Sequence, residues 1–205
     1  MAYMPDAMYY DFGQGFQLDE DYRAIRWMQE NVQGSPVIVE ANAVEYRWGS
    51  RYSIYTGLPG VLGWNWHQRQ QRVVTGDTAI VLRAFDIASF YMTRSIEEAT
   101  SFLEEYDVEY VIVGRMERVY YGQMEPCWPS TTEGEAISCD MAGRPIGMQP
   151  PNIPAWECQP MNPEADDSPL SCPTYAFEKF EPMISEGILR EAYRDGDTVI
   201  YEVLQ

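Results

Sequence analysis

Tyr110-Val-Ile-Val-Gly114 is the stretch of sequence that predicts the fold most directly. It is a short run of β-branched residues that ends at a glycine, which is typical of a fully buried strand. A second run of the same kind, Pro36-Val-Ile-Val-Glu-Ala41, lies upstream. Two such strands between helical stretches favour a layered α/β domain.

Three helical patterns and a hairpin surround these strands. Residues 18–33 carry apolar residues at helical spacing after Asp19, the predicted N-cap, and residues 77–92 repeat that spacing. A capping box, Ser95-Ile-Glu-Glu98, opens a third helix over 95–106. The C-terminal runs 188–194 and 198–204 flank Asp-Gly-Asp, a β-hairpin signal. The predicted fold is therefore a small layered sheet flanked by helices, with short strands also suggested at 52–56 and 61–64.

Length and charge limit the classes of function. The 205 residues are 45% hydrophobic, enough for one α/β domain over 1–205. The net charge of −18 repels nucleic acid, so we exclude a nucleic-acid partner. No apolar run reaches the roughly 18 residues that span a bilayer, and no signal peptide is visible. The opening residues do not resemble a natural start, so we expect a piece of a longer chain.

Residues 121–173 differ in composition from the rest of the chain. They hold all four cysteines and ten of the fourteen prolines, and they carry eight acids against one base. They show no sustained periodicity and few large apolar residues, so a separate core is not expected. We interpret this segment as a Cys/Pro-rich acidic insertion within the α/β domain.

The cysteines predict disulfides rather than a metal site. Their wide spacings and the presence of only one histidine, His67, do not fit zinc, so no metal or other cofactor is predicted. Two disulfides that staple the insertion are the preferred interpretation, and they imply an oxidising compartment. Three connectivities are possible, and four free thiols in a cytoplasmic protein remain the alternative. The four residues are Cys127, Cys139, Cys158 and Cys172.

The passage 40–72 is the most informative for function. Between residues 45 and 72 there are four arginines and a single acid, Glu45, so this part is cationic in a strongly anionic chain. It also holds three of the six tryptophans. Arginine forks suit phosphate or carboxylate, and flat aromatic rings suit the apolar faces of sugars. In the alternative interpretation, the arginines pair with acids elsewhere and the tryptophans are core residues.

From this passage we predict a ligand-binding surface. Glu40 ends a predicted strand, the place where open α/β sheets bind ligands, and Arg51, between Ser50 and Ser53, is the strongest single candidate. No nucleotide-binding or hydrolase motif is present. The six predicted residues are Glu40, Arg47, Arg51, Trp64, Trp66 and His67.

Several of these stretches together resemble the C-terminal soluble region of the YYY family of polytopic membrane proteins, whose membrane part resembles GT-C glycosyltransferases. The resemblance covers about 1–121 and 175–205, and the Cys-rich insertion lies outside it. Where the family typically reads Leu-Pro-Thr, this chain has Leu-Pro-Gly60. The stretches are Asp21–Trp27, Val37–Ala41, Gly49–Pro59, Gly63–Arg72, Tyr110–Gly114, Glu117–Tyr121 and Phe177–Phe180.

The resemblance implies an auxiliary role outside the cytoplasm. Such a domain would sit beside the membrane domain of its own parent chain and help it bind a lipid-phosphate-linked sugar donor or a glycan acceptor. The isolated domain would not be catalytic, although its parent would be a glycosyltransferase. Two other hypotheses stay open: a free-standing carbohydrate-binding or adhesion module, and a soluble hydrolase that uses Glu40 or Glu45 with His67.

Overall fold

The structure is a computed structural model. It describes residues 8–11, 14–42, 47–71, 78–124, 126–129, 136–138, 159–160, 170–173 and 175–204. In that part of the chain, no helix has the length and apolar composition needed to cross a membrane.

Seven α-helices and eleven strands are described. In chain order they are β1 (Met8–Asp11), β2 (Gln14–Gln17), α1 (Asp19–Asn31), β3 (Val37–Val39), α2 (Arg51–Thr56), α3 (Asn65–Gln71), α4 (Thr78–Met92), α5 (Ile96–Glu105), β4 (Val108–Val113), α6 (Arg115–Tyr121), β5 (Gln123–Met124), β6 (Pro126–Pro129), β7 (Ala136–Ser138), β8 (Gln159–Pro160), β9 (Leu170–Pro173), α7 (Phe180–Ser185), β10 (Leu189–Asp195) and β11 (Thr198–Val203). A short 3-10 turn, Ala176–Lys179, leads directly into α7.

A four-stranded sheet in the order β10-β11-β4-β3 forms the centre of the domain. The strands β3 and β4 are parallel, while β11 runs antiparallel to β4 and pairs with β10 in the C-terminal hairpin. The helices α2 to α5 lie between β3 and β4 in sequence, as the crossover of a parallel pair requires.

Both faces of this sheet are covered. Along β4, Val111 and Val113 belong to one core and Ile112 to another, since successive side chains of a strand point to opposite faces. The larger core includes residues of α4, α5, α6 and α7. The smaller core includes Ala24, Ile25 and Met28 of α1, together with Tyr52 of α2. Covering both faces explains why the strands read as continuous apolar runs.

The α/β fold predicted from the sequence is confirmed. The strands predicted at 36–41 and 109–114 are β3 and β4, and the helices predicted at 18–33, 77–92 and 95–106 are α1, α4 and α5. The Ser95 hydroxyl accepts a hydrogen bond from Glu98 N at 3.2 Å, as the capping box requires. The C-terminal hairpin forms with Gly196 at a φ of 57° in its turn.

Three local predictions were wrong. Residues 51–56 form the helix α2 instead of a strand, and residues 61–64 form no strand either. The N-cap of α1 is Leu18, whereas Asp19 lies in the first turn and pairs with Arg23 at 3.1 Å. The helix α2 depends on a carboxylate distant in sequence, described below, so local pattern does not reveal it.

The segment 121–173 is described only in short strands. Its two ends meet, because β5 pairs with β9 through Gln123–Pro173 and Met124–Cys172. The cysteine side chains lie outside the described residues, and so does most of the segment. The insertion and its disulfides therefore stay predictions.

Candidate functional site

A buried cluster of charged residues lies at the carboxyl ends of the parallel strands. Its centre is Arg51, at the start of α2, with 1% of its surface exposed. Arg51 Nη1 and Nη2 each donate to one carboxylate oxygen of Glu117 on α6, both at 2.9 Å. This is the fork geometry that guanidinium and carboxylate form best.

Glu117 also connects the two parallel strands. Its Oε1 accepts a hydrogen bond from Ala41 N, just beyond β3, and its Oε2 accepts one from Gly114 N, just beyond β4, both at 2.8 Å. Burial by itself would raise the pKa of Glu117, but Arg51 and these two amides outweigh it and lower that pKa. Glu117 is thus held as an anion inside the protein.

Glu40 provides the N-terminal cap of α2. Its two carboxylate oxygens accept hydrogen bonds from Tyr52 N and Ser53 N, both at 2.8 Å. Ser50, the residue at the N-cap position, makes no such bond, so a side chain from the end of β3 satisfies the helix amides instead. Burial raises the pKa of Glu40 to about 7, and Arg51, whose Nη1 lies 4.0 Å away, offsets only part of that rise.

Asp21 of α1 completes the cluster. Its Oδ2 lies 2.8 Å from Arg51 Nε, and its Oδ1 accepts a hydrogen bond from the Tyr52 hydroxyl at 3.1 Å. Burial raises the pKa of Asp21, with Arg51 acting in the opposite direction. Burial alone would lower the pKa of Arg51, but Asp21 and Glu117 raise it well above its ordinary value. One cation thus joins three carboxylates from three different elements.

The structure brings only some of the predicted site residues together. Glu40 and Arg51 lie in this buried cluster, where Glu40 is 3% exposed. Arg47 and His67 are exposed. Trp64 is half-buried, with its ring centroid 6.2 Å from that of His67. Trp66 lies on α3, but its side chain is outside the described part.

Glu40 and Arg51 therefore do not share an exposed surface with the other predicted residues, as the sequence had suggested. Arg51 and Glu40 face each other and the protein interior, so their contribution is to hold α2 and the strand ends in place. The hydrolase hypothesis loses Glu40 for the same reason, because both of its oxygens are occupied by backbone amides. Burial within an internal ion network raises the pKa of Glu40, so this shift does not mark it as a catalytic group. Ligand binding by the exposed residues stays a prediction.

An aromatic group lies beside Arg47 in the chain and was missing from the predicted set. The rings of Tyr9 and Trp48 are 6.2 Å apart, and those of Trp48 and Tyr55 are 5.6 Å apart. Trp48 N donates a hydrogen bond to the Tyr9 hydroxyl at 3.2 Å. Trp48 and Tyr55 lie in the informative passage, but Tyr9 comes from β1, which no sequence signal connected to it.

Other kinds of site are not evident in the described residues. A cavity of about 490 Å³ lies between α4 and α5, and none of the six predicted residues lines it. Within the described ranges, no group of three or more His, Cys, Asp or Glu side chains is placed to hold a metal ion.

The class of protein that the fold defines is an α/β domain with a mixed four-stranded sheet covered on both faces. Among solved structures, the chain is similar to the C-terminal globular domain of an oligosaccharyltransferase from Archaeoglobus fulgidus. The TM-score is 0.44, with 17% identity over 89% of this chain and 95% of that chain. No family model matches the sequence, and no curated protein matches it.

Proposed function

We propose that this chain is an extracytoplasmic recognition domain of a GT-C-like membrane glycosyltransferase. In this role it lies against the membrane domain of its own parent chain and helps to bind a lipid-phosphate-linked sugar or a glycan acceptor. One observation supports it above the others. Four charged residues from separate stretches of the YYY resemblance, namely Asp21, Glu40, Arg51 and Glu117, form a single buried network.

This network acts as a support for the passage that follows it. It holds α2 at the carboxyl edge of the sheet, and the chain then continues through Gly60, which bridges to Ile38, into the segment that carries Trp64 and His67. A buried network of ion pairs and hydrogen bonds is a suitable support for a binding surface, since precise sites need side chains that are held by a second layer of contacts.

Arg47 is exposed and the rings of Tyr9, Trp48 and Tyr55 are half-buried, and we assign these groups to binding and not to catalysis. Residues 47–71 contain no Asp or Glu, although the whole chain has 32. Arg47 supplies positive charge for an anionic phosphate, while the ring group of Tyr9, Trp48 and Tyr55 offers apolar faces for stacking. Catalytic carboxylates would then come from the membrane domain of the parent.

A titration of the chain with chosen ligands tests the proposal. The probes are a prenyl-phosphate-linked sugar in detergent micelles, the free sugar, and micelles alone, followed by calorimetry. We expect binding of the first probe, and at least a roughly tenfold loss with Arg47→Gln, because charge-assisted hydrogen bonds contribute about 1.5–3 kcal/mol. The control is Arg194→Gln, an exposed arginine on β10 paired with Glu191.

The outcomes separate the hypotheses. Equal affinity for the free and the lipid-linked sugar would favour a free-standing carbohydrate-binding module. Absence of binding to every probe, or an equal loss in Arg47→Gln and Arg194→Gln, would refute a recognition site at this surface. In the full-length parent, Arg47→Gln should lower sugar transfer while the protein is still made at a normal level.

A further inference from the structure

Two exposed arginines have no acidic partner in the described part of the chain. The guanidinium groups of Arg94, just after α4, and Arg118, on α6, form no hydrogen bond or ion pair there. Each lies over an aromatic ring instead: Arg94 Cζ is 5.9 Å from the ring centroid of Tyr175, and Arg118 Cζ is 5.3 Å from that of Phe177. Although the chain has 32 acidic residues, these guanidinium donors are left available for an anion from outside.

The two rings come from one short segment whose backbone is strained. Tyr175 precedes the 3-10 turn with a φ of 52° and a ψ of 13°, in the left-handed region, and it is 39% exposed. A bulky side chain rarely adopts this conformation, and such strain is concentrated at binding sites. The ring of Tyr175 thus stays at the surface beside Arg94. Phe177 is half-buried, with its ring centroid 6.2 Å from that of Tyr91.

Lys179 connects the two arginine–ring pairs. Its Nζ donates to the carbonyl of Thr93, the residue before Arg94, at 3.1 Å. It also donates to the carbonyl of Ala176, within the segment 175–177 that carries both rings, at 3.2 Å. Because both carbonyl oxygens bind the same nitrogen, the end of α4 and the ring segment are held side by side.

The acidic residues around this place form no ion pair with the two arginines. Glu98 on α5 accepts a hydrogen bond from the Thr93 hydroxyl, and Glu178 is exposed on the 3-10 turn. Glu191 on β10 is paired with Arg194. Their negative charge disfavours an anion that is only loosely attracted, so a ligand needs directed hydrogen bonds. Forked guanidinium donors supply such bonds to an oxyanion but not to a spherical ion such as chloride.

We propose that Arg94 and Arg118 form a binding site for the phosphate or carboxylate group of a small ligand, with the rings of Tyr175 and Phe177 holding the two guanidinium groups. A ring under the face of a guanidinium attracts its charge and leaves the N–H donors at its edge free. The site goes beyond the proposed function, since none of its residues lies in the passage 40–72.

An NMR titration of the arginine Nε–Hε signals tests this site. The probes are inorganic phosphate and acetate, each added at constant ionic strength against chloride. We expect the Arg94 and Arg118 signals to shift with the same saturating dependence on the oxyanion and to stay unchanged in chloride alone. Tighter saturation by phosphate would indicate a phosphate-bearing ligand, and tighter saturation by acetate a carboxylate-bearing one.

Matched variants identify the donors. Arg118→Gln should weaken binding at least roughly tenfold, measured on the Arg94 signal, because its charge-assisted hydrogen bonds are lost. Arg118→Lys should recover only part of the affinity, since lysine keeps the charge and lacks the fork. Arg190→Gln changes an exposed arginine on β10 that is paired with Glu202, and it should bind like the unmodified chain. Circular dichroism verifies the fold of each variant.

Tyr175→Gly separates the site from the fold. Glycine adopts the left-handed conformation without strain, so the domain should tolerate this change in urea denaturation. Binding should still weaken roughly two- to fivefold, because Arg94 loses the ring that holds it.

Four results would overturn the proposal. The first two are the absence of a saturating shift with either oxyanion and a different saturation of the Arg94 and Arg118 signals. The others are equal losses in Arg118→Gln and Arg190→Gln, and unchanged affinity in Tyr175→Gly. None of them bears on the proposed function, whose test depends on Arg47.

Discussion

Two cations are buried in the described part of this domain, and their surroundings are opposite. Arg51 and Lys179 are 1% and 3% exposed. Arg51 is joined to carboxylates on three sides. Lys179, the only lysine of the chain, pairs with no carboxylate within the described residues. Its ammonium group donates to three backbone carbonyls, those of Tyr91, Thr93 and Ala176, at 3.1, 3.1 and 3.2 Å.

The comparison shows that satisfying hydrogen bonds is not the same as compensating charge. Lys179 uses all three of its donors, and its Nζ also lies 5.2 Å from the ring centroid of Phe90 and 4.8 Å from that of Phe180. Even so, burial lowers the pKa of Lys179 to about 7. The pKa of Arg51 is raised instead, since two carboxylates outweigh its burial. Loss of the charge should therefore have very different consequences at the two sites.

The largest expected effect is at Arg51. Arg51→Met keeps much of the side-chain volume but leaves Asp21, Glu40 and Glu117 buried without their cation. Removing one partner of a buried ion pair costs roughly 3–5 kcal/mol, so we expect a loss of that size in the free energy of unfolding, measured by urea denaturation at pH 7. The sequence predicts Arg51 as a ligand-binding residue, whereas in the structure it is a buried support of the fold.

Arg51→Lys is the matched comparison. It keeps the positive charge but cannot place two parallel donors on Glu117, so it should recover only part of the stability. Equal stability of Arg51→Lys and the unmodified chain would mean that the fork adds nothing beyond charge. Stability of Arg51→Met within about 1 kcal/mol of the unmodified chain would contradict the network altogether.

The next effect in size is at Glu117. Its carboxylate accepts two bonds from Arg51 and one each from Ala41 N and Gly114 N. Glu117→Gln removes the negative charge and turns one acceptor into a donor, so we expect a loss of about 2–3 kcal/mol. Thermal and urea unfolding of Glu117→Gln beside Glu97→Gln, an exposed position on α5, give the measurement and its control. Similar curves for both variants would be inconsistent with a central role for Glu117.

Lys179→Met should have a smaller effect at neutral pH. It leaves three carbonyls without their donor, at a cost of about 1–2 kcal/mol, but it leaves no carboxylate without a cation. The stability difference should widen above pH 7. Unfolded Lys179 holds its proton up to about pH 10.5, whereas the folded chain releases it near pH 7, so unfolding takes up a proton in this window and higher pH stabilises the fold.

The test is a series of urea titrations between pH 7 and pH 10. The unmodified chain should gain stability relative to Lys179→Met across that range, and Glu178→Gln, a change at the exposed neighbour of Lys179, should follow the unmodified chain. A constant difference between Lys179→Met and the unmodified chain would show that the ammonium group keeps its ordinary pKa in the fold.

The sequence predicted the elements whose signals are local. The apolar runs of β3 and β4, the capping box at Ser95 and the Asp-Gly-Asp turn each lie within a few residues, and each formed as expected. The helix α2 was missed because its cap, Glu40, lies twelve residues from Tyr52, whose amide it accepts. Sequence periodicity contains no information about such a contact.

The burial of the candidate site residues could not be predicted from the sequence, for a related reason. Charge reversal and a tryptophan cluster pointed to a binding surface in the passage 40–72, to which Glu40 was added because it ends a predicted strand, and ligand binding there stays a prediction. Glu40 and Arg51 were both among its residues. These patterns could not show on which side of the backbone the two residues lie. Arg51 is drawn inward by Asp21 on α1 and Glu117 on α6, which are 30 and 66 residues away in the chain. Only the folded topology brings these carboxylates to the same edge of the sheet.

The smallest expected change in stability at pH 7 is that of a substitution at Glu40, and the size of this change depends on pH. Burial raises the pKa of Glu40 to about 7 from an ordinary value of 4.5. Between these values the folded chain holds a proton that the unfolded chain has lost. This carboxyl therefore stabilises the fold below pH 4.5 and progressively loses that contribution as the pH rises to 7, by about 2 kcal/mol from pH 5 to pH 7.

Glu40→Gln cannot ionise, so it should remove this dependence. We expect the variant to lie within about 1 kcal/mol of the unmodified chain at pH 7, because one amide oxygen still accepts a backbone N–H of α2, and to fall behind it as the pH is lowered to 5. Urea denaturation from pH 5 to pH 8 measures the difference, with Glu97→Gln as the exposed control. Parallel curves for Glu40→Gln and the unmodified chain would show that Glu40 titrates near its ordinary pKa, and that Arg51 and the two helix amides offset the whole effect of burial.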